Sequence, residues 1–365
     1  MYKKIAVFIL LSFIIVSSFS QSALAHTVYP VNPNAQATTK ELMNWLAHLP
    51  NRSENRILSG AFGGFTNASF SMKEANRIKN ATGQLPAIYG CDYSSGWLEK
   101  PYISDITETI DYSCNSDLIS YWKSGGIPQI SLHLANPASS TFGKNASHIS
   151  NSEYEKILDS STTEGKRLEA VLSKVADGLD QLKNEGVPVL FRPLHEMNGE
   201  WFWWGLTEYN KKDSQRFSLY KQLYQKIYHY MTDTRGLDNL IWVYSPDANR
   251  DFKTDFYPGS SYVDIVGLDA YFSDDFTIQG YDELTALNKP FAFTEIGTQK
   301  QDGNLDYAVF LNTVKQKYPK TVYFLTWDEV HSPSVNKGGS NFYNDSWTLN
   351  KGEVWAGSSL TPIVE

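Results

Sequence analysis

The chain has 365 residues, with 40 acidic against 32 basic side chains and a formal net charge of -8. That balance argues against nucleic acid as a partner and suits a neutral polymer better than a polyanion. Aromatic residues make up 14% of the chain, a stock of rings that can fill a core or stack on sugar faces, and composition alone does not separate the two uses.

The N-terminus reads as an export signal. Lys3 and Lys4 precede an apolar run from Ile5 to Val16 that is too short and poorly flanked for a stop-transfer helix, and Ala23-Leu24-Ala25 is a small-x-small cleavage site. The expectation is a signal peptide over residues 1–25, a mature chain from His26 and an extracellular location, with a single N-terminal membrane anchor as the alternative. Cleavage removes two lysines and no acid, so the charge moves from -8 to -10. No other segment is long and apolar enough to span a bilayer, so no membrane association is expected after cleavage. Residues 26–365 show no linker, repeat or low-complexity tract and read as one domain, taken as a monomer. The two cysteines, Cys91 and Cys114, pair in an exported chain as one disulfide closing a short loop, worth about 3 kcal/mol. Two buried free thiols are the alternative.

Eight short apolar runs follow in order: Arg56–Gly60, Pro86–Gly90, Ile127–Leu134, Val187–Leu194, Leu240–Ser245, Val263–Asp269, Pro290–Glu295 and Thr321–Trp327. Near-continuous apolar runs indicate strands buried on both faces. Helical periodicity separates most of them. From Glu164 to Glu185, residues Leu168, Val171, Leu172, Val175, Leu179 and Leu182 fall on one face, and Gly186 ends the helix. Ser214 to Thr232 repeats the pattern, as do Tyr307, Phe310, Leu311 and Val314. Alternating strands and helices predict a parallel sheet, and eight strands favour a closed (β/α)8 TIM barrel. An open doubly wound sheet is the alternative, because Asp247 to Ser261 is a poor helix. Gly60-Ala61-Phe62-Gly63-Gly64 lacks the Lys-Ser/Thr of a phosphate loop and reads as a rim loop.

A barrel places its active site at the C-terminal strand ends. The fourth run ends in His195-Glu196-Met197-Asn198-Gly199-Glu200-Trp201 and the seventh in Glu295-Ile296-Gly297. Each delivers one carboxylate to the rim, and two opposed carboxylates are what glycoside hydrolysis needs. Either glutamate alone could as well cap a helix or meet a lysine. A zinc-protease reading of His195-Glu196 fails, since Gly199 stands where the second His belongs.

Arg192-Pro193-Leu194-His195-Glu196-Met197-Asn198-Gly199 with Trp201, and Phe293-Thr294-Glu295-Ile296-Gly297, resemble glycoside hydrolase family 26, with its secreted bacterial endo-β-1,4-mannanases of Bacillus type. The resemblance implies retaining hydrolysis of β-1,4-mannosidic linkages in mannan, galactomannan or glucomannan. It makes Glu196 the acid/base and Glu295 the nucleophile, with His195 at the 2-hydroxyl of the sugar being cleaved. Tyr271 and Arg192 stand where they can keep the nucleophile ionised, His133 where it can line the same subsite, and Trp201 and Trp327 where they can serve as sugar platforms. Trp203, Trp204 and Trp242 read as core. The chemistry requires no cofactor. A structural divalent metal such as zinc is expected at His26, through its free α-amino group and imidazole, with His48 and Glu365. Competing readings are a β-glucanase or β-xylanase of the same family, and a non-catalytic carbohydrate-binding protein.

Overall fold

Eight parallel strands form the centre of the molecule: β1 (Gly60–Phe65), β2 (Ile88–Asp92), β3 (Ile127–Leu132), β4 (Val189–Pro193), β5 (Leu240–Tyr244), β6 (Ile265–Phe272), β7 (Phe291–Thr298) and β8 (Thr321–Thr326). The structure is a computed structural model; it describes residues 27–353 apart from 67, 95–104, 140–147 and 274, and the backbone of 355–356 and 359–360. The expected signal peptide lies outside these residues. Each strand pairs with the next, and β8 pairs with β7 and, through Ala61 opposite Thr326, with β1. The sheet therefore closes, as the alternation of apolar runs and helices predicted, and the open alternative is excluded. The segment 247–261 is indeed not helical; the barrel closes without a helix between β5 and β6.

The strands are buried almost throughout. Around them pack helices whose apolar stripes were visible in the sequence. Thr163–Asn184 buries the six predicted aliphatic residues. Its first turn is capped by Thr162, whose hydroxyl accepts from the Gly165 N–H at 2.9 Å. Gly186, at φ +69°, turns the chain into β4. Ser214–His229 and Tyr307–Lys317 are capped in the same way by Asp213 and Asp306. Trp203, Trp204 and Trp242 are core residues. Cys91 in β2 and Cys114 form a disulfide across 23 positions of sequence.

One expectation is corrected. Gly60 to Gly64 is not a rim loop but most of β1. The glycines are there because neighbours come close: a Cβ on Gly60 would sit 2.5 Å from the Phe324 carbonyl oxygen, and one on Gly63 would sit 2.5 Å from the Tyr89 ring. The run Arg56–Gly60 instead supplies Ile57–Leu58, which pairs with Thr348–Leu349 beside the barrel.

Candidate active site

The polar groups of the site lie in the C-terminal half of a barrel strand or just beyond its end, Thr294 and Glu295 being in the middle of β7. Asp92 ends β2, His133 follows β3, Arg192 lies in β4 with His195 and Glu196 just after it, Ser245 follows β5, Asp269 and Tyr271 finish β6, Thr294 and Glu295 lie in β7, and Trp327 follows β8.

Two local departures from regular strand geometry deliver the carboxyls. After β4, Leu194 and Glu196 take φ of +54° and +52°, conformations that cost a non-glycine residue about 1–3 kcal/mol each. Tertiary bonds hold them: the Glu196 N–H donates to the Ser245 carbonyl at 2.7 Å, and Tyr220 donates to the Leu194 carbonyl at 2.9 Å. Asn198 ties the same turn to the β5 loop, its side chain donating to the Asp247 carbonyl at 2.9 Å and accepting from the Asp247 N–H at 2.8 Å. In β7 the register shifts, so that Leu268 faces Phe293 but Asp269 faces Glu295. Thr294 is the extra residue. Successive side chains normally alternate faces, yet here Thr294 donates to Asp269 while Glu295 meets Arg192, so both serve one inner network.

Arg192 is the centre of that network. It is fully buried, donating to Asp269 at 2.8 Å and to Glu295 Oε1. Burial alone would lower its pKa, but the charges of Asp269 and then Glu295 outweigh burial and raise it. Tyr271 donates to Glu295 Oε2 at 2.7 Å, so both oxygens of this carboxylate have donors. Gly297 makes room for that tyrosine: a Cβ there would meet the Tyr271 ring at 2.4 Å and His331 at 2.7 Å. His331 packs edge-on against Tyr271 with ring centroids 5.3 Å apart. Asp269 also accepts from the Ser245 and Thr294 hydroxyls, each at 2.7 Å. Burial pushes its carboxyl up, while Arg192 and the Thr294 and Ser245 hydroxyls pull it back toward the charged form.

Glu196 is placed differently. Its one side-chain donor among the described residues is the Trp201 indole N–H, 2.6 Å from Oε2. Burial, then the charges of Glu295, Asp269 and Asp247, raise its pKa well above the ordinary carboxylate range, opposed by Arg192. One oxygen each of Glu196, Asp269 and Glu295 lie within 4.8 Å of one another. Such a triad has the donor types of a hard-metal site, but the guanidinium of Arg192 is already bonded to two of its members.

A second cluster lies beside the first. His133 Nδ1 meets Asp92 Oδ2 at 2.7 Å, and its Nε2 lies 3.2 Å from His195 Nε2. Burial would raise the Asp92 pKa, but the His133 charge and hydrogen bond hold it below its usual range. Burial, then the Arg192 charge, push the His195 pKa well down, so His195 is a neutral ring. Its Nδ1 has no partner among the described residues. Trp327 stacks one face on Phe62 at 4.0 Å and lies 6.4 Å from the His133 ring.

The structure thus brings Glu196, Glu295, Arg192, His195, His133, Tyr271, Trp201 and Trp327 into one site. The sequence reading missed Asp92, Asn198, Ser245, Asp269, Thr294 and His331. Of the expected metal set, only His48 is among the described residues. His26 and Glu365 lie outside them, and His48 ends the helix Ala37–His48 with Nδ1 at 2.7 Å from the Asn44 carbonyl.

A closed parallel barrel whose fourth and seventh strands deliver two opposed glutamates, one crowded by negative charge and one held by an arginine and a tyrosine, defines a glycoside hydrolase. Residues 31–353 match the model of Glycosyl hydrolase family 26, and the chain belongs to that family. It is 70% identical to the mannan endo-1,4-beta-mannosidase of Bacillus subtilis strain 168 over 366 residues, the match covering all of both chains. Among solved structures it is similar to a Bacillus subtilis mannanase, at 73% identity and a TM-score of 0.90, over 93% of this chain and 100% of that one. It is also similar to a beta-mannanase from a symbiotic protist of the termite Reticulitermes speratus complexed with gluco-manno-oligosaccharide. There the identity is 25% and the TM-score 0.70, over 89% of this chain and 96% of that one.

Proposed function

We propose that the chain is a mannan endo-1,4-β-mannosidase that works by double displacement with retention of configuration. The observation that carries the mechanism is the approach of Glu196 and Glu295 oxygens to within 4.8 Å. Retaining glycosidases hold their carboxyls about 5–5.5 Å apart, whereas inverting ones leave about 6.5–9.5 Å for a water. The identity to the Bacillus mannosidase over its whole length supports mannan over the glucan and xylan alternatives.

In the first step Glu295 attacks the anomeric carbon and the bond to the leaving oxygen breaks. Glu196 gives that oxygen its proton, the leaving chain departs as an alcohol, and the retained sugar is esterified to Glu295. Glu196, now a carboxylate, then takes a proton from water. The water oxygen attacks the anomeric carbon, Glu295 leaves as a carboxylate and the starting enzyme is restored. Arg192 and Tyr271 each donate to one oxygen of Glu295, orienting the carboxylate for attack and receiving it again on release. Trp201 donates to Oε2 of Glu196, which leaves Oε1 to carry the transferable proton. The neutral His195 ring and Trp327 shape the subsite around the sugar being cleaved.

The test is a panel of mannan, lichenan and xylan with NMR of the first product. Mannan cleaved to a β-configured reducing end is expected; an α-configured first product overturns the mechanism, and preference for lichenan or xylan overturns the substrate. Residues 1–25 act in this reading as an export signal, which N-terminal sequencing of protein from the culture medium checks. A structural metal held by His26, His48 and Glu365 is tested by elemental analysis after dialysis, and gel filtration tests the monomer.

A further inference from the structure

Tyr209 is 63% exposed. It lies in the segment between β4 and the helix Ser214–His229, on the side of the site where Trp201 meets the acid. Its ring is nevertheless held. The Arg250 guanidinium carbon lies 4.6 Å from the Tyr209 ring centroid and 4.8 Å from that of Trp201, so one cation serves both rings. The guanidinium is itself fixed by a two-pronged pair with Glu200, Nε to Oε2 and a terminal nitrogen to Oε1, each at 3.0 Å. The loop tip is tied to the segment bearing Arg250, since the Asp251 N–H donates to the Asn210 side chain at 3.1 Å. Asn210 takes φ +45°, a conformation that this side chain tolerates better than most.

A continuous path of contacts therefore runs outward from the chemistry: Glu196, the Trp201 indole, Arg250, and the Tyr209 ring. A mobile surface tyrosine needs no such bracing. A ring immobilised in advance, with most of its surface open to water, loses little entropy when it stacks on a ligand. The path starts at the group that protonates the leaving oxygen, so it lies on the side of the departing chain.

We propose that Tyr209 is an outer platform for the leaving-group side of the substrate, stacking on a sugar of the β-1,4-linked chain beyond the one next to the cleaved bond. The inference rests on the roles given above to Glu196 and the substrate. Arg250 and Glu200 are positioning residues for that ring.

The experiment compares kcat and KM of Tyr209→Ala and Tyr209→Phe on β-1,4-mannohexaose and on an aryl β-mannobioside, whose small leaving group ends short of Tyr209. For Tyr209→Ala, kcat/KM on the hexaose is expected to fall roughly three- to tenfold, through KM, as expected for one lost stacking contact. The loss is confined to the hexaose, and Tyr209→Phe restores the rate because it keeps the ring. Equal losses on both substrates would mean that Tyr209 merely braces Trp201 and the acid, and would overturn the platform, as would no loss on either. If the wild type cleaves gluco- or xylo-oligosaccharides instead, the mannan reading fails while the same comparison on that chain still decides the platform. A wild type inert on all three overturns both.

Discussion

Trp201→Phe isolates a single hydrogen bond to the acid. The substitution keeps an aromatic ring beside Arg250 but removes the indole N–H that donates to Glu196 Oε2 at 2.6 Å. A hydrogen bond to a charged group contributes about 1.5–3 kcal/mol and one to a neutral group about 0.5–1.5 kcal/mol. The bond therefore favours the ionised form of Glu196 by roughly 1–1.5 kcal/mol, which corresponds to about one pKa unit. Glu196 already lies well above the ordinary carboxylate range through burial and the neighbouring negative charges of Glu295, Asp269 and Asp247. Removing a donor to its charged form raises it further. The alkaline limb of the kcat/KM profile, where the acid loses its proton, is expected to move upward by about one unit. Titration of carbon-labelled Glu196 by NMR measures the same shift directly. A limb that stays in place or moves down would refute the assignment of Glu196 as the acid held by Trp201, however large the loss of rate.

Asp247→Asn should move the same limb the other way. The Asp247 carboxyl is itself pushed up to about 6 by burial and is charged above that pH, where it disfavours ionisation of Glu196; the pH profile of kcat/KM reads the downward shift. Glu295→Ala is expected to abolish turnover of mannan, with azide rescuing activated aryl substrates as the inverted glycosyl azide. Glu196→Ala should spare substrates with good leaving groups, and steady-state kinetics on an aryl series checks both. Arg192→Met leaves Asp269 and Glu295 buried without their cation and should cost about 3–5 kcal/mol, measured by urea unfolding. Reduction of Cys91–Cys114, which spans 23 positions, should lower stability by about 3 kcal/mol, measured as the shift in urea midpoint with and without reductant.

The barrel was readable because its strands are apolar on both faces and its helices carry one stripe each. The exception, β1, failed for a local reason: Gly60 and Gly63 mark close approaches to Phe324 and Tyr89, and glycine spacing looks the same whether it serves a turn or a crowded strand. Glu196 and Glu295 were found by asking which acids end apolar runs. The same rule reaches Asp92 only from the structure, because the apolar run Pro86–Gly90 stops two residues short of it, so the partner of His133 is not legible in the sequence. Asp269 was read as part of a strand, and its binding to Ser245 and Thr294 could not be foreseen. The register shift before Glu295 puts two successive side chains into one network, and strict alternation sends one of them away. Trp201 shows a different limit. Its position beside the acid was legible, but whether the ring face or the N–H does the work depends on an indole orientation that no spacing encodes.

Counting donors explains why the two glutamates divide the labour as they do. Glu196, Asp269 and Glu295 crowd within 4.8 Å around one full positive charge, that of Arg192. So much negative charge in a dry site binds a proton, and the proton goes to the carboxyl that loses least by becoming neutral. Asp269 has Arg192, Ser245 and Thr294 as donors, and Glu295 has Arg192 and Tyr271. Among the described residues Glu196 has the indole alone. The proton therefore rests on Glu196 and the charge on the side of Arg192. In the covalent intermediate Glu295 becomes a neutral ester. The largest neighbouring charge raising the Glu196 pKa then disappears, the opposing charge of Arg192 remains, and the carboxylate that must accept a proton from water is stabilised. One arginine bridging β4, β6 and β7 thus supports both half-reactions, first by binding the nucleophile's carboxylate and then by favouring the charged form of the spent acid.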